Sequence, residues 1–118
     1  MLKSDAWRDL SINGRRMLDL LEIEHLAHGG YENGNLTVTY CQFVEWGIRR
    51  EAVNKTIKEL EHLGWIEVQR GGYRGFARSW PHRYRLTYRR TRIVPDNGAP
   101  YLVAPTDDWR RYHSKKSV

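Results

Sequence analysis

The chain has 118 residues, of which 40% are hydrophobic and 29% are charged. This length and composition fit one globular domain, and they exclude a wholly disordered chain or two independent catalytic lobes. The single cysteine excludes an internal disulfide, and no apolar run approaches the roughly 18 residues that a membrane-spanning helix needs. We therefore expect a cytoplasmic protein without membrane contact, and the formal net charge of +6 favours a polyanionic partner.

The charge is distributed unevenly along the chain. Residues 1–48 carry four basic and seven acidic residues, whereas residues 49–92 carry twelve basic and four acidic ones. Residues 93–118 have four basic and three acidic residues. The middle of the chain is therefore the part that we expect to face nucleic acid.

Apolar residues at helical spacing predict a first helix over residues 12–28. Ser11 is the expected N-cap, and Gly29 supplies the C-terminal stop. The ten residues before this helix form a lead-in that we expect to dock on the body through Trp7 and Leu10.

This first helix carries Glu22, His25 and His28 at i, i+3 and i+6, a spacing similar to that of Glu-x-x-His metal pairs in helical bundles. No second helix offers matching ligands, so we expect no metal here. The outer residues Leu20 and Ile23 suggest the alternative of a homodimer seam, although neighbouring glutamates limit how apolar such a seam is.

A second, short helix is predicted over residues 40–46. Thr39 begins a capping box, in which its hydroxyl caps the helix while Gln42 reaches back to the Thr39 amide. We expect Phe43 and Val44 to face the core.

A third helix is predicted over residues 50–63, after a break at Gly47. It ends at Gly64, and Arg49 occupies the position where a capping Ser or Thr is usual. Its apolar residues recur at spacings of four, three and three and form the expected buried face: Val53, Ile57, Leu60 and Leu63.

Two strands are predicted over residues 65–70 and 83–88, joined by a long hairpin loop that contains three glycines and a proline. The inward residues of the strands are expected to be Ile66, Val68, Tyr84, Leu86 and Tyr88, with Thr87 on the opposite face. Residues 36–38 are a further short strand candidate.

The tail is predicted to form a Pro/Gly-rich linker over residues 94–105 and a short helix over residues 107–114, with Thr106 as its N-cap. Trp109 and Tyr112 are expected to be buried, either on the first helix or on another protomer. We accordingly divide the chain into a domain of residues 1–92 and a tail of residues 93–118.

Two segments resemble bacterial winged helix-turn-helix DNA-binding domains, namely Thr39-Tyr-Cys-Gln-Phe-Val-Glu-Trp-Gly-Ile48 and the stretch from Val53 to Val68 that contains Leu-Glu-His-Leu-Gly. The nearest patterns are those of transcription regulators and plasmid replication initiators. The resemblance implies an α+β, mainly helical fold with three helices and a small antiparallel β-hairpin wing, followed here by the short C-terminal helix.

In such a fold the third helix lies in the major groove and the wing contacts the backbone or minor groove. The mixture of basic, acidic and amide side chains on that helix favours base discrimination, because Arg, Asn and Glu each pair with a particular base edge. The candidate residues on the third helix are Arg50, Glu51, Asn54, Lys55 and Lys58. The candidates for the backbone and minor groove are Thr39, Tyr40, Arg49, Arg70, Tyr73, Arg74, Arg78 and Arg83.

Sequence-specific binding of double-stranded DNA by a nucleoid-associated transcription regulator is the function that we expect. A replication-initiation or mobile-element accessory factor is the nearest alternative. A winged helix that binds only protein is an alternative of another class, and RNA binding through the wing is a further one. We expect no enzyme, no cofactor and no small-molecule ligand, since the sequence contains no phosphate loop, nucleophile elbow or paired carboxylates.

Overall fold

A computed structural model describes residues 1–27, 29–30, 33–34, 36–70 and 82–113. It is a small α+β fold in which four α-helices precede an antiparallel β-hairpin. The helices are α1 (Asp5–Arg8), α2 (Ile12–Ala27), α3 (Tyr40–Glu45), α4 (Arg50–Leu63) and a terminal 3-10 helix (Asp108–Arg111). The strands are β1 (Ile66–Gln69), β2 (Arg83–Leu86), β3 (Thr91–Ile93) and β4 (Tyr101–Val103).

The lead-in contains a helix, α1, that the sequence did not predict because it has only four residues. Ser4 is its N-cap and accepts a hydrogen bond from the Trp7 amide. The predicted docking of this segment is confirmed, since Ala6 and Leu10 are buried and the Trp7 ring packs edge-on against Trp65.

Helix α2 begins where the sequence predicted, because the Gly14 amide donates to the Ser11 hydroxyl at 3.0 Å. The same hydroxyl donates to the carboxylate of Glu59 at 2.7 Å, which ties the start of α2 to α4. A Cβ at Gly14 would lie 2.6 Å from a Glu59 side-chain oxygen, so a larger residue there would push the Glu59 carboxylate out of its present position.

The segment from α3 to α4 follows the predicted boundaries closely. The capping box of Thr39 and Gln42 is present, and Gly47 turns the chain with a φ of 107° that favours glycine. The predicted buried face of α4 is confirmed, and Phe43 is also buried. Val44 is a wrong prediction: it is exposed, because a six-residue helix has room for only a narrow buried face.

Strands β1 and β2 pair antiparallel, with Ile66 opposite Leu86 and Val68 opposite Tyr84. The third strand candidate, residues 36–38, is reduced to a single bridge between Leu36 and Tyr84. Thr87 was expected on the outer face, but it lies past the end of β2 and is buried.

The predicted linker of residues 94–105 is wrong in part, because it contains β4, which pairs antiparallel with β3 just before it to form a second hairpin. The short helix predicted over residues 107–114 is present as a 3-10 helix over Asp108–Arg111, preceded by Asp107 in the left-handed region with a φ of 48°. Thr106 does not cap it, and its hydroxyl accepts a hydrogen bond from Arg85 instead.

The tail docks on its own chain, but not on either of the two predicted partners, the first predicted helix or another protomer. The Trp109 ring stacks on Trp65, with 5.7 Å between the ring centroids. The Tyr112 hydroxyl donates to Asp9 at 2.7 Å. These contacts lie at the lead-in and the C-terminal end of α4, so the expected docking on the first predicted helix is corrected.

On α2, the Glu22 carboxylate accepts two hydrogen bonds from Arg89. His25 is buried, and desolvation lowers the pKa of its imidazole. His28 lies outside the described residues, and the described ranges contain no group of three or more metal-ligating side chains. No described helix is both long and apolar enough to cross a membrane.

Candidate nucleic-acid interface

Helix α4 presents a continuous polar face opposite its buried one. Its inner residues pack against α2 and α3, and the Thr56 hydroxyl donates to the Ala52 carbonyl on the helix itself. This packing fixes which side of the helix points outward. The five sequence-predicted residues of this helix are all exposed there: Arg50, Glu51, Asn54, Lys55 and Lys58.

The turn between α3 and α4 is held by an arginine that sequence reasoning missed. Arg16 of α2 donates from Nη1 to the Gly47 carbonyl at 2.8 Å. This bond joins three helices at the point where α4 begins, so Arg16 helps to set the direction of the polar face. Its position on α2 gave no sequence signal, because an exposed arginine on an amphipathic helix is common.

The basic side chains at the start of α4 lack the protein partners that many other basic side chains of the described residues have. Arg49, Arg50, Lys55 and Lys58 make no side-chain hydrogen bond or ion pair with any residue that the structure describes. Among the residues that the structure describes, several other arginine side chains donate to protein oxygens: Arg8, Arg16, Arg70, Arg85, Arg89 and Arg111. The surface of α4 therefore carries positive charge that no protein carboxylate neutralises within the described residues.

Arg49 is the N-cap residue of α4 and has the extended backbone of a cap, with φ of −61° and ψ of 140°. Its side chain makes no capping hydrogen bond. The amides of the first turn thus lack the acceptor that Ser or Asp would supply, and an anion at this point would meet both those amides and the guanidinium.

The start of α3 carries two further predicted contacts, Thr39 and Tyr40. The Thr39 oxygen accepts the capping bond from Gln42, which leaves the hydroxyl hydrogen able to point to a phosphate. Tyr40 is half-buried, with its ring 6.0 Å from that of His82. Desolvation by burial, aided by the charge of Arg70, lowers the pKa of the His82 imidazole.

The remaining predicted contact residues lie on or between the strands of the β1–β2 hairpin. Arg83 is exposed at the start of β2. Arg70 follows β1 and donates two hydrogen bonds to the Glu61 carboxylate, so its charge is already paired within the protein. The other three predicted wing residues, Tyr73, Arg74 and Arg78, lie outside the described residues.

Comparison with models of known protein families, with curated proteins and with solved structures gave no match to this chain. The functional argument therefore depends on the chemistry of the polar face. Arginine and lysine can pair with guanine, asparagine with adenine, and glutamate with cytosine. A face composed of all three types can both bind phosphate and distinguish bases.

Proposed function

We propose that the protein binds double-stranded DNA sequence-specifically, as a nucleoid-associated transcription regulator with a winged helix-turn-helix. In this proposal α4 enters the major groove and the β1–β2 hairpin is the wing. The order of α2, α3, α4 and the β1–β2 hairpin is compatible with that fold.

The observation that carries the proposal is the group of four basic side chains at Arg49, Arg50, Lys55 and Lys58. They lie within one 10-residue stretch and are not paired with any described part of the protein. With Glu51 included, the stretch keeps a net charge of +3, and such a local excess of one sign favours a partner of opposite charge. The phosphate backbone of DNA is such a partner, and it gains affinity by releasing its counterions.

Sequence specificity is supported by Asn54 and Glu51, which are exposed among these basic residues. A surface that recognised only phosphate would have no use for a carboxylate, which phosphate repels, and an amide can bind either phosphate or a base edge. A bidentate contact from Asn54 to adenine would contribute about 1–3 kcal/mol of discrimination. Glu51 also lies in the first turn of α4, where its negative charge interacts favourably with the helix dipole.

The proposal is tested by selecting DNA from a random duplex pool and then measuring the binding of variants by fluorescence anisotropy. Arg50→Ala and Asn54→Ala should each relax the selected motif and weaken binding to it by roughly tenfold, a change of about 1.4 kcal/mol. Arg8→Ala is the matched control for Arg50→Ala. This variant also removes one positive charge, but Arg8 lies in α1, away from the start of α4. Its neighbour Trp7 packs on Trp65, which follows the C-terminal end of α4.

The control should retain the motif and most of the affinity. If Arg8→Ala weakens binding as much as Arg50→Ala, general electrostatics rather than α4 accounts for the binding. If no motif is enriched although the duplex binds, the proposal of sequence specificity is wrong.

A further inference from the structure

Residues 106–112 cross the junction between α4 and the β1–β2 hairpin, and we call this segment the strap. Its backbone lies directly on Gly64, the residue that ends α4, because a Cβ at Gly64 would be 2.6 Å from the Asp108 carbonyl carbon and oxygen. Beside this contact, the Trp109 ring stacks on Trp65 with an angle of 15° between the ring planes. The strap therefore packs against the point where α4 leads into β1.

The strap is also bound to the β1–β2 hairpin. The Asp107 amide donates to the Thr87 carbonyl at 2.8 Å, and the Thr106 hydroxyl accepts a hydrogen bond from Arg85 at 3.1 Å. Arg85 lies on β2 and also donates to Glu67 on β1 at 2.9 Å. Both strands of the hairpin are thus connected to the strap through one arginine side chain.

The end of the strap is bound on the other side of the junction. The Tyr112 hydroxyl donates to Asp9 of the lead-in at 2.7 Å. The Tyr112 ring lies edge-on against His62 in the last turn of α4. The strap therefore contacts three parts of the molecule, which are the lead-in, the end of α4 and the hairpin.

Asp107 has a backbone conformation that these contacts maintain. Its φ of 48° lies in the left-handed region, which is unfavourable for a residue with a side chain. Such a conformation persists where the surrounding structure fixes it. Here the Asp107 amide is bound by Thr87, and its carboxylate accepts a hydrogen bond from the Trp109 indole nitrogen at 3.2 Å. The start of the strap is thus held in one conformation.

The hairpin needs such support, because an isolated two-stranded sheet is only marginally stable in water. The pairing of β1 with β2 covers four residues in each strand. Arg83, the exposed residue that we propose as a DNA contact, lies two positions before Arg85 and therefore on the same face of β2. Contacts that hold the strand at Arg85 consequently limit where the Arg83 side chain can reach.

We propose that Trp109 and Tyr112 are positioning residues, which through the strap set the angle between α4 and the β1–β2 hairpin. The inference rests on the proposed function, in which both elements contact one duplex. They can do so together only if their relative orientation matches the groove and the adjacent backbone. The strap lies at the C-terminal end of α4, about 20 Å from Arg50 at its start, so it acts on the hairpin and not on the bases.

The test is a double-mutant cycle of Trp109→Ala with Arg83→Ala, measured by fluorescence anisotropy on the selected duplex. In the wild-type background, Arg83→Ala should weaken binding about fivefold, through the loss of one phosphate contact. In the Trp109→Ala background it should weaken binding by less than about twofold, because the hairpin no longer holds Arg83 at the backbone. Arg50→Ala should weaken binding about tenfold in both backgrounds, since the core and not the strap holds α4.

Three further variants separate positioning from a general loss of stability. Trp109→Phe keeps a ring that can stack on Trp65, so Arg83→Ala should regain nearly its wild-type effect in that background. Tyr112→Phe removes only the hydrogen bond to Asp9 and should act like Trp109→Ala, but more weakly. Leu18→Val removes one methylene from the buried face of α2, so it should lower the unfolding temperature yet leave the effect of Arg83→Ala at about fivefold.

Amide hydrogen exchange on the full chain without DNA gives an independent measurement. Trp109→Ala should speed exchange in β1 and β2 more than in α2, because the strap supports the hairpin locally. An equal effect of Arg83→Ala in both backgrounds, or exchange that rises equally in all elements, would overturn the inference. If the wild type binds no duplex, the proposed function is wrong, and the exchange result alone then decides whether the strap holds the hairpin.

Discussion

Asn33 illustrates how a single side chain can connect distant parts of this chain. It is only 1% exposed, and its amide oxygen accepts a hydrogen bond from the Leu86 amide at 2.7 Å. Its amide nitrogen donates to the Leu86 carbonyl at 3.0 Å and to the carbonyls of Arg89 and Arg90. The side chain thus satisfies the backbone at the end of β2 as a neighbouring strand would.

We predict that Asn33→Ala lowers the free energy of unfolding by about 3 kcal/mol, because it leaves several buried backbone groups without partners. Asn33→Asp should cost at least as much despite its similar shape, since a carboxylate oxygen would face backbone carbonyls. Urea denaturation measures both changes. Asn54→Ala is the control at an exposed asparagine and should change the free energy of unfolding by less than about 0.5 kcal/mol. If Asn33→Ala changes it by as little as Asn54→Ala does, this account of Asn33 is wrong.

At the scale of the element, the start of α4 combines a stability deficit with a candidate binding function. Arg49 has the backbone geometry of an N-cap and lacks its hydrogen bond. Replacing a good capping residue with a poor one typically costs about 1 kcal/mol. The proposed contact with phosphate would account for an arginine at this position.

Arg49→Ser should consequently stabilise the protein by about 1 kcal/mol and weaken DNA binding. Arg49→Ala is the matched variant: it should weaken binding equally but give no gain in stability, because alanine cannot cap. Thermal unfolding and anisotropy measure the two effects. If Arg49→Ser binds DNA as tightly as the wild type, Arg49 does not contact phosphate.

The elements that the sequence predicted best are those with a local signal. The spacing of Val53, Ile57, Leu60 and Leu63 defined α4, and the capping box defined α3. The β3–β4 hairpin was not predicted, because its three-residue strands are too short to show an alternation of apolar and polar residues, and prolines flank them. The tail was misread since its form depends on Trp109 stacking on Trp65, which is 44 positions earlier in the chain.

In the candidate site, too, the features with a local sequence signal were predicted and those that depend on long-range contacts were not. The exposed residues of α4 followed from its period, so all five were placed correctly on the outer face. The clamp from Arg16 to Gly47 spans 31 positions, and the ion pair of Arg70 with Glu61 depends on how β1 leaves the helix. Long-range contacts of this kind have no periodic signature in a single sequence.

At the scale of the whole molecule, basic charge and exposed apolar surface are placed on different elements. Within the described residues, four unpaired basic side chains lie at or on α4, whereas four of the exposed large hydrophobic residues lie on or beside the β3–β4 hairpin.

The salt dependence of duplex binding by the wild-type protein tests the central claim most directly. If Arg49, Lys58 and Arg83 each neutralise a phosphate while Arg50 and Lys55 contact bases, the plot of log affinity against log salt should have a slope of about −3 or steeper. Fluorescence anisotropy at several salt concentrations gives this slope. Failure to bind duplex DNA at low salt, or a slope near zero, would contradict the proposal that α4 is a DNA-binding surface.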